Sequence, residues 1–135
     1  MSEYVFCYGT LKQGYARHWL LQKQIYSGNA SFVDNAITSK PYPLILRKIL
    51  IPSLINFPNM GKYVKGEVYQ VSKEVLKALD VGNKRWKALY KFGKIEVKLQ
   101  SGSLLVANTY FLTGGKMNIK DLSAENFIDD YNGEL

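Results

Sequence analysis

Few residues in this 135-residue sequence are equipped for chemistry, and most of those that are can be set aside on spacing. There is one histidine, His18, and one cysteine, Cys7, with no carboxylate between them. That pattern matches no structural or catalytic zinc spacing. Cys7 lies among Val5, Phe6 and Tyr8, so it reads as a buried, inert thiol rather than a nucleophile with a base beside it. His18 lies at a polar-flanked helix start and reads as a surface or helix-packing residue. No GxGxxG or GxxxxGK[ST] run is present, so no nucleotide phosphate cradle is indicated, and no cofactor or metal is implied. What remains is the segment Tyr8-Gly9-Thr10-Leu11, in "VFCYGTLKQG". Glycine lets the backbone approach a ligand closely, and successive N–H groups in a turn can hold a carboxylate or oxyanion. A plain strand-to-helix turn needing glycine for a positive φ explains the same residues, and on physics alone both readings stand.

The elements around this segment follow from patterning. Tyr4 to Tyr8 is apolar on both faces, as a fully buried strand is. A helix is predicted over Ala16 to Gln24 with Trp19, Leu20 and the stem of Lys23 inward. A partly alternating strand follows over Ala30 to Thr38. "PYPLIL" and "PSLINF" carry prolines that suit edge or irregular strands. In "YVKGEVYQV" Val64, Gly66 and Val68 share one face and Lys65, Glu67 and Tyr69 the other. Ser72 caps a short helix "SKEVLKALD" that turns Val75, Leu76 and Leu79 inward and ends at Gly82-Asn83. "GKIEVKL" and "LLVANTYFL" complete the strands, before an acidic, frayed C-terminus with one amphipathic turn at Phe127 and Ile128. Many strands, short helices and no βαβ alternation predict one α+β domain over residues 1–135, a small mixed barrel or rolled sheet with flanking helices.

Composition bounds the function. No apolar run approaches a membrane span, no secretory leader precedes the first strand, and a lone cysteine fits a reducing, cytoplasmic compartment. The net charge is +7, with the densest cations in "NKRWKALYKFGKIEVK": Lys84, Arg85, Lys87, Lys91, Lys94 and Lys98, interleaved with Trp86, Tyr90 and Phe92. Such a patch can attract phosphates and stack bases, as a nucleic-acid or protein interaction module does. A solvated face whose aromatics turn to the core is the favoured reading, because charge runs usually are solvated.

"VFCYGTLKQGYARH" resembles the opening of the γ-glutamylcyclotransferase-like family, whose hallmark is a Y-G-T-L or Y-G-S-N loop after the first strand. The likeness continues through "YPLIL", "IPSLINFP", "GKYVKGEVYQVSKEVLKALD" and "VANTYFL", nearest the γ-glutamylamine cyclotransferase branch. It implies a small amino-acid-like anionic ligand and release of 5-oxoproline, the substrate's α-amine attacking its own γ-carbonyl. By position Tyr8, Gly9, Thr10, Leu11 and Tyr90 match the family's binding residues, the loop amides holding a carboxylate or developing oxyanion. The family's general acid/base is a glutamate three residues after the aspartate of L-D-x-x-E; counting from Leu79-Asp80, that place is held by Asn83. An amide neither takes nor returns a proton at neutral pH. No Asp or Glu occurs between Val81 and Ile95, so Glu67 is the substitute to consider, with a structural role for it the simpler expectation.

Overall fold

The computed structural model describes residues 3–47, 51–81, 90–112 and 127–132. Its strands and helices run β1 (Glu3–Cys7), α1 (Trp19–Tyr26), β2 (Ala30–Thr38), β3 (Leu44–Arg47), β4 (Ile51–Leu54), β5 (Lys65–Val71), α2 (Lys73–Val81), β6 (Tyr90–Leu99) and β7 (Leu104–Leu112). Five strands close into a barrel in the order β1-β5-β2-β6-β7, and β3 and β4 form a separate two-stranded sheet. The barrel pairs are antiparallel except the closing one, where β1 meets β7 in parallel at Val5 and Asn108. The mixed α+β barrel with short helices expected from patterning is therefore the fold observed, and the proline-marked strands are the pair that stands apart.

Alternation along the strands divides the core in two. Phe6, Tyr8, Val68, Ile95, Val97 and Phe111 point into the barrel, where the small sheet adds Leu44 and Leu54. Val5, Cys7, Tyr69 and Val71 point outward and are covered by Leu21 of α1 and by Val75 and Leu79 of α2. Burial on both faces is why β1 is continuously apolar. Each fully buried leucine of this kind stabilises the fold by about 1.5–3 kcal/mol.

Helix α2 starts as its sequence specifies, with the Ser72 hydroxyl accepting from the Val75 N–H at 3.2 Å. Helix α1 differs from expectation. It begins at Trp19 rather than Ala16, Trp19 is 60% exposed, and Lys23 is exposed too. Leu21 and Ile25, four apart, take the inward stripe, which leaves Trp19 and Tyr26 on the opposite side. The C-terminal piece is also not frayed where it is described: Phe127 and Tyr131 are buried, and Asp130 is paired with Lys12.

Candidate functional site

The turn after β1 is set by what covers it. Gly9 does not have a positive φ; among the described residues those glycines are Gly14, Gly28, Gly61 and Gly102. A Cβ on Gly9 would instead come within 2.7 Å of the Pro52 ring. Glycine is required there for close packing of β4 over the loop, not for a left-handed turn. Of the two readings left open for this segment, the plain turn that needs glycine for a positive φ does not hold at Gly9.

The loop's carbonyls and amides are used unequally. Gly9 O accepts from the Lys12 N–H at 3.0 Å, and Thr10 O from the Arg17 N–H at 2.9 Å. Leu11 O lies 2.9 Å from His18 Nδ1, a bond made by the Nδ1–H tautomer. Among the described residues, however, no group accepts a hydrogen bond from the N–H of Gly9, Thr10 or Leu11. Gly9 and Leu11 are buried and Thr10 is half-buried. Buried amides without partners are rare in folded proteins, since each costs about as much as a lost hydrogen bond. Here three in succession, with their carbonyls already occupied, leave a row of donors without acceptors among the described residues.

Hydroxyl groups gather beside this loop. Tyr8 continues the inward alternation of Phe6; its hydroxyl donates to Tyr110 O at 2.8 Å and accepts from the Leu54 N–H at 3.3 Å. Burial raises the Tyr8 phenol well above its ordinary range, offset in part by the Leu54 bond, so it stays neutral. Tyr90, at the start of β6, lies with its hydroxyl 2.5 Å from that of Ser53, the residue after Pro52. Ser53 has no exposure at all. The Tyr110 hydroxyl caps α2 by donating to Leu79 O, and its ring stacks on Phe92 at 4.1 Å. Tyr8, Gly9 and Tyr90, named from the sequence, are thus joined through β4. Ser53 and Tyr110 were not singled out; a lone serine in the apolar run "PSLINF" was the only signal for the first.

Glu67 is placed elsewhere. It pairs with Cys7 across the β1–β5 ladder and shares the outward face of β5 with Tyr69. One carboxylate oxygen, Oε1, accepts from the Gln13 N–H and from the Tyr69 hydroxyl, both at 2.9 Å. It lines an open cleft of about 750 Å³ with Lys12, Lys65, Lys98, Asn35 and Gln100 on the outer barrel wall. Cys7 beside it is buried, and burial followed by the charge of Glu67 pushes its thiol far up, which makes it the inert group expected. Glu67 therefore holds the end of the loop from outside, and no bond links it to Tyr8, Ser53 or Tyr90 among the described residues.

Asn83 lies outside the described residues, as do Lys84, Arg85, Trp86 and Lys87 of the basic stretch and the Gly82-Asn83 helix end. Of the rest, Lys91 and Lys98 are exposed, Lys94 donates to the Asn108 side chain at 2.8 Å, Tyr90 is buried and Phe92 is engaged with Tyr110. Among the described residues no three His, Cys, Asp or Glu side chains converge as metal ligands would, and no helix is long and apolar enough to cross a membrane.

Comparison with known proteins bears on the chain as a whole. The family model described as γ-glutamyl cyclotransferase, AIG2-like, matches residues 5–129. A putative γ-glutamylcyclotransferase of Arabidopsis thaliana is 46% identical over 76 residues, 56% of this chain and 41% of that one. A γ-glutamylaminecyclotransferase of Homo sapiens is 42% identical over 77 residues, 56% of this chain and 50% of that one. The chain spans about half the length of these curated relatives. Among solved structures, an AIG2-like protein of Mus musculus superposes with a TM-score of 0.83 at 25% identity, over 98% of this chain and 89% of that one. With the barrel and the family match in agreement, the chain belongs to the AIG2-like γ-glutamyl cyclotransferase family.

Proposed function

We propose that this protein binds a γ-glutamyl amine, or a similar small carboxylate, on the amides of Gly9, Thr10 and Leu11, and that Asn83 leaves 5-oxoproline formation slow or absent. The observation that supports the reading is the run of three successive N–H groups, on the buried Gly9 and Leu11 and the half-buried Thr10, with no acceptor among the described residues. The ligand class comes from relatives named γ-glutamylaminecyclotransferases.

In the reaction the α-amine nitrogen bonds to the γ-carbonyl carbon and the γ-amide C–N bond breaks. The proton lost by the attacking ammonium must reach the departing amine. The loop amides would steady the oxygen that gains charge. The buried hydroxyls of Tyr8, Ser53 and Tyr90 would orient the substrate. Nothing in that set performs the transfer, and a positioned acid/base is worth about 10²–10⁴ in rate.

The test is incubation with γ-glutamyl amines, 5-oxoproline being assayed, beside the variant Asn83→Glu. The expected result is ligand-induced thermal stabilisation of both proteins, with turnover at least about 100-fold higher in the variant. Wild-type turnover equal to that of the variant overturns the loss of the proton shuttle. The absence of stabilisation by any γ-glutamyl amine or glutamate overturns the binding assignment.

A further inference from the structure

We infer that the C-terminal segment 127–132 is part of the mounting of the anion loop, and that Lys12 is the positioning residue that connects the two; this rests on the reading of Gly9, Thr10 and Leu11 as the ligand-holding amides. Lys12 follows Leu11 directly, and its side chain is only 8% exposed. A lysine so enclosed requires compensating partners. Its ammonium has them: it donates to Asp130 Oδ1 at 2.6 Å and to Tyr131 O at 2.7 Å, and lies 5.3 Å from the centre of the Tyr15 ring. The rings of Tyr15 and Tyr131 in turn lie 5.2 Å apart.

The segment that receives this ammonium is itself fixed. Ile128 N–H donates to Leu44 O on β3, and Asp129 O accepts from the Lys65 N–H on β5, at 2.9 and 2.8 Å. Phe127 is buried. Lys12 is therefore gripped by a strap tied to the barrel and to the small sheet, whose other strand brings Pro52 over Gly9 and Ser53 to Tyr90. Its backbone completes the link, because the Lys12 N–H closes the turn onto Gly9 O. A single residue thus ties the turn that aims the three amides to a segment 118 positions further along the chain. Without the ammonium contact, the turn keeps Glu67 on the Gln13 N–H, His18 on Leu11 O and the Arg17 N–H on Thr10 O, none of which reaches the C-terminal segment.

The experiment is amide hydrogen exchange on the ligand-free, full-length protein, comparing wild type, Lys12→Met and Asp130→Asn. The N–H groups of Lys12, Gln13 and Arg17 are the reporters, since each has an acceptor within or beside the loop. Exchange at these three is expected to quicken by about tenfold or more in both variants, while strands β5 and β6 keep wild-type rates. Lys12→Arg, which keeps the charge, restores most of the protection. Titration with L-glutamate, followed by chemical shift, is expected to give weaker binding in the two loosened variants than in wild type. Unchanged exchange at all three reporters in both Lys12→Met and Asp130→Asn overturns the inference, as does an equal acceleration throughout the barrel. Local acceleration with no glutamate binding by any form supports the strap and overturns the ligand assignment instead.

Discussion

The two sides of the β1–β5 ladder use polar groups in opposite ways. Inside, the buried Tyr8 hydroxyl bonds to Tyr110 O and the Leu54 N–H, and through β4 it neighbours the buried Ser53–Tyr90 hydroxyl pair. Outside, the acidic and basic side chains of Glu67, Lys12 and Asp130 hold backbone, a neighbouring hydroxyl or one another: the Gln13 N–H, Tyr131 O, the Tyr69 hydroxyl and the Lys12–Asp130 pair. Charge belongs where water can reach one side of it; in the closed interior only hydrogen-bonded neutral groups are cheap. The lesson is that a carboxylate near the proposed ligand loop need not serve a ligand. Glu67 is one residue from the inward-facing Val68 and still works on the other side of the sheet.

Gly66 forms the wall between the two sides, and replacing it is the harshest test of the division. A Cβ there would stand 2.5 Å from Cys7 O and 2.7 Å from the Phe6 ring. Neither can yield without moving β1, so Gly66→Ala is expected to cost about 3 kcal/mol in urea unfolding. At Gly9 the obstacle is a proline ring at 2.7 Å, and Gly9→Ala is expected to cost about 1–2 kcal/mol and to weaken ligand binding more than it weakens the fold. Equal losses at the two sites would mean that the wall is no stiffer than the loop.

Alkali should reach both sides, in sequence. Burial raises the Cys7 thiol from its ordinary 9.0 and the Tyr8 phenol from its ordinary 10.0. In the unfolded chain both ionise at those ordinary values, so between them and the higher folded values the unfolded state binds fewer protons. Stability is then intact below about pH 9 and falls as pH rises, by about 1.4 kcal/mol per unit for each group engaged. Urea midpoints measured from pH 7 to 11 should bend first near 9 and again near 10. Cys7→Ala is expected to remove the first bend and leave the second; a bend near 9 that persists in that variant refutes the thiol's part in it.

How much of this was legible depended on range. Strand β2 was legible near Ala30 to Thr38, because its partial alternation is a local signal. Trp19 was misplaced because a bulky apolar residue at a helix start carries no mark of which face it takes; the tertiary packing of Leu21 decided it. The Tyr8–Leu11 loop was visible as a loop, but the reason for Gly9 was not, since Pro52 is a neighbour only after β3 and β4 fold over. The Lys12–Asp130 pair was wholly hidden. Both residues look like ordinary surface charges until the chain end returns to the barrel.

Glu67→Gln is the smallest expected effect and the sharpest discriminator between the two sides. The amide keeps an oxygen to accept from the Gln13 N–H and the Tyr69 hydroxyl, so the loop's outer support survives, and stability should fall by less than about 1 kcal/mol. Glu67→Ala leaves both donors unmatched and should cost about 1–3 kcal/mol. If Glu67 acts only by holding the loop, Gln substitutes well: 5-oxoproline formation by the Asn83→Glu protein changes by less than about threefold on adding Glu67→Gln, well below the span of a lost acid/base. If Glu67 were the group that moves the proton in the natural protein, Gln would be as damaging as Ala, because an amide keeps the hydrogen bonds and loses the basicity. Residual wild-type turnover that vanishes in Glu67→Gln while the fold stays intact would therefore make the outer side catalytic and erase the division drawn here.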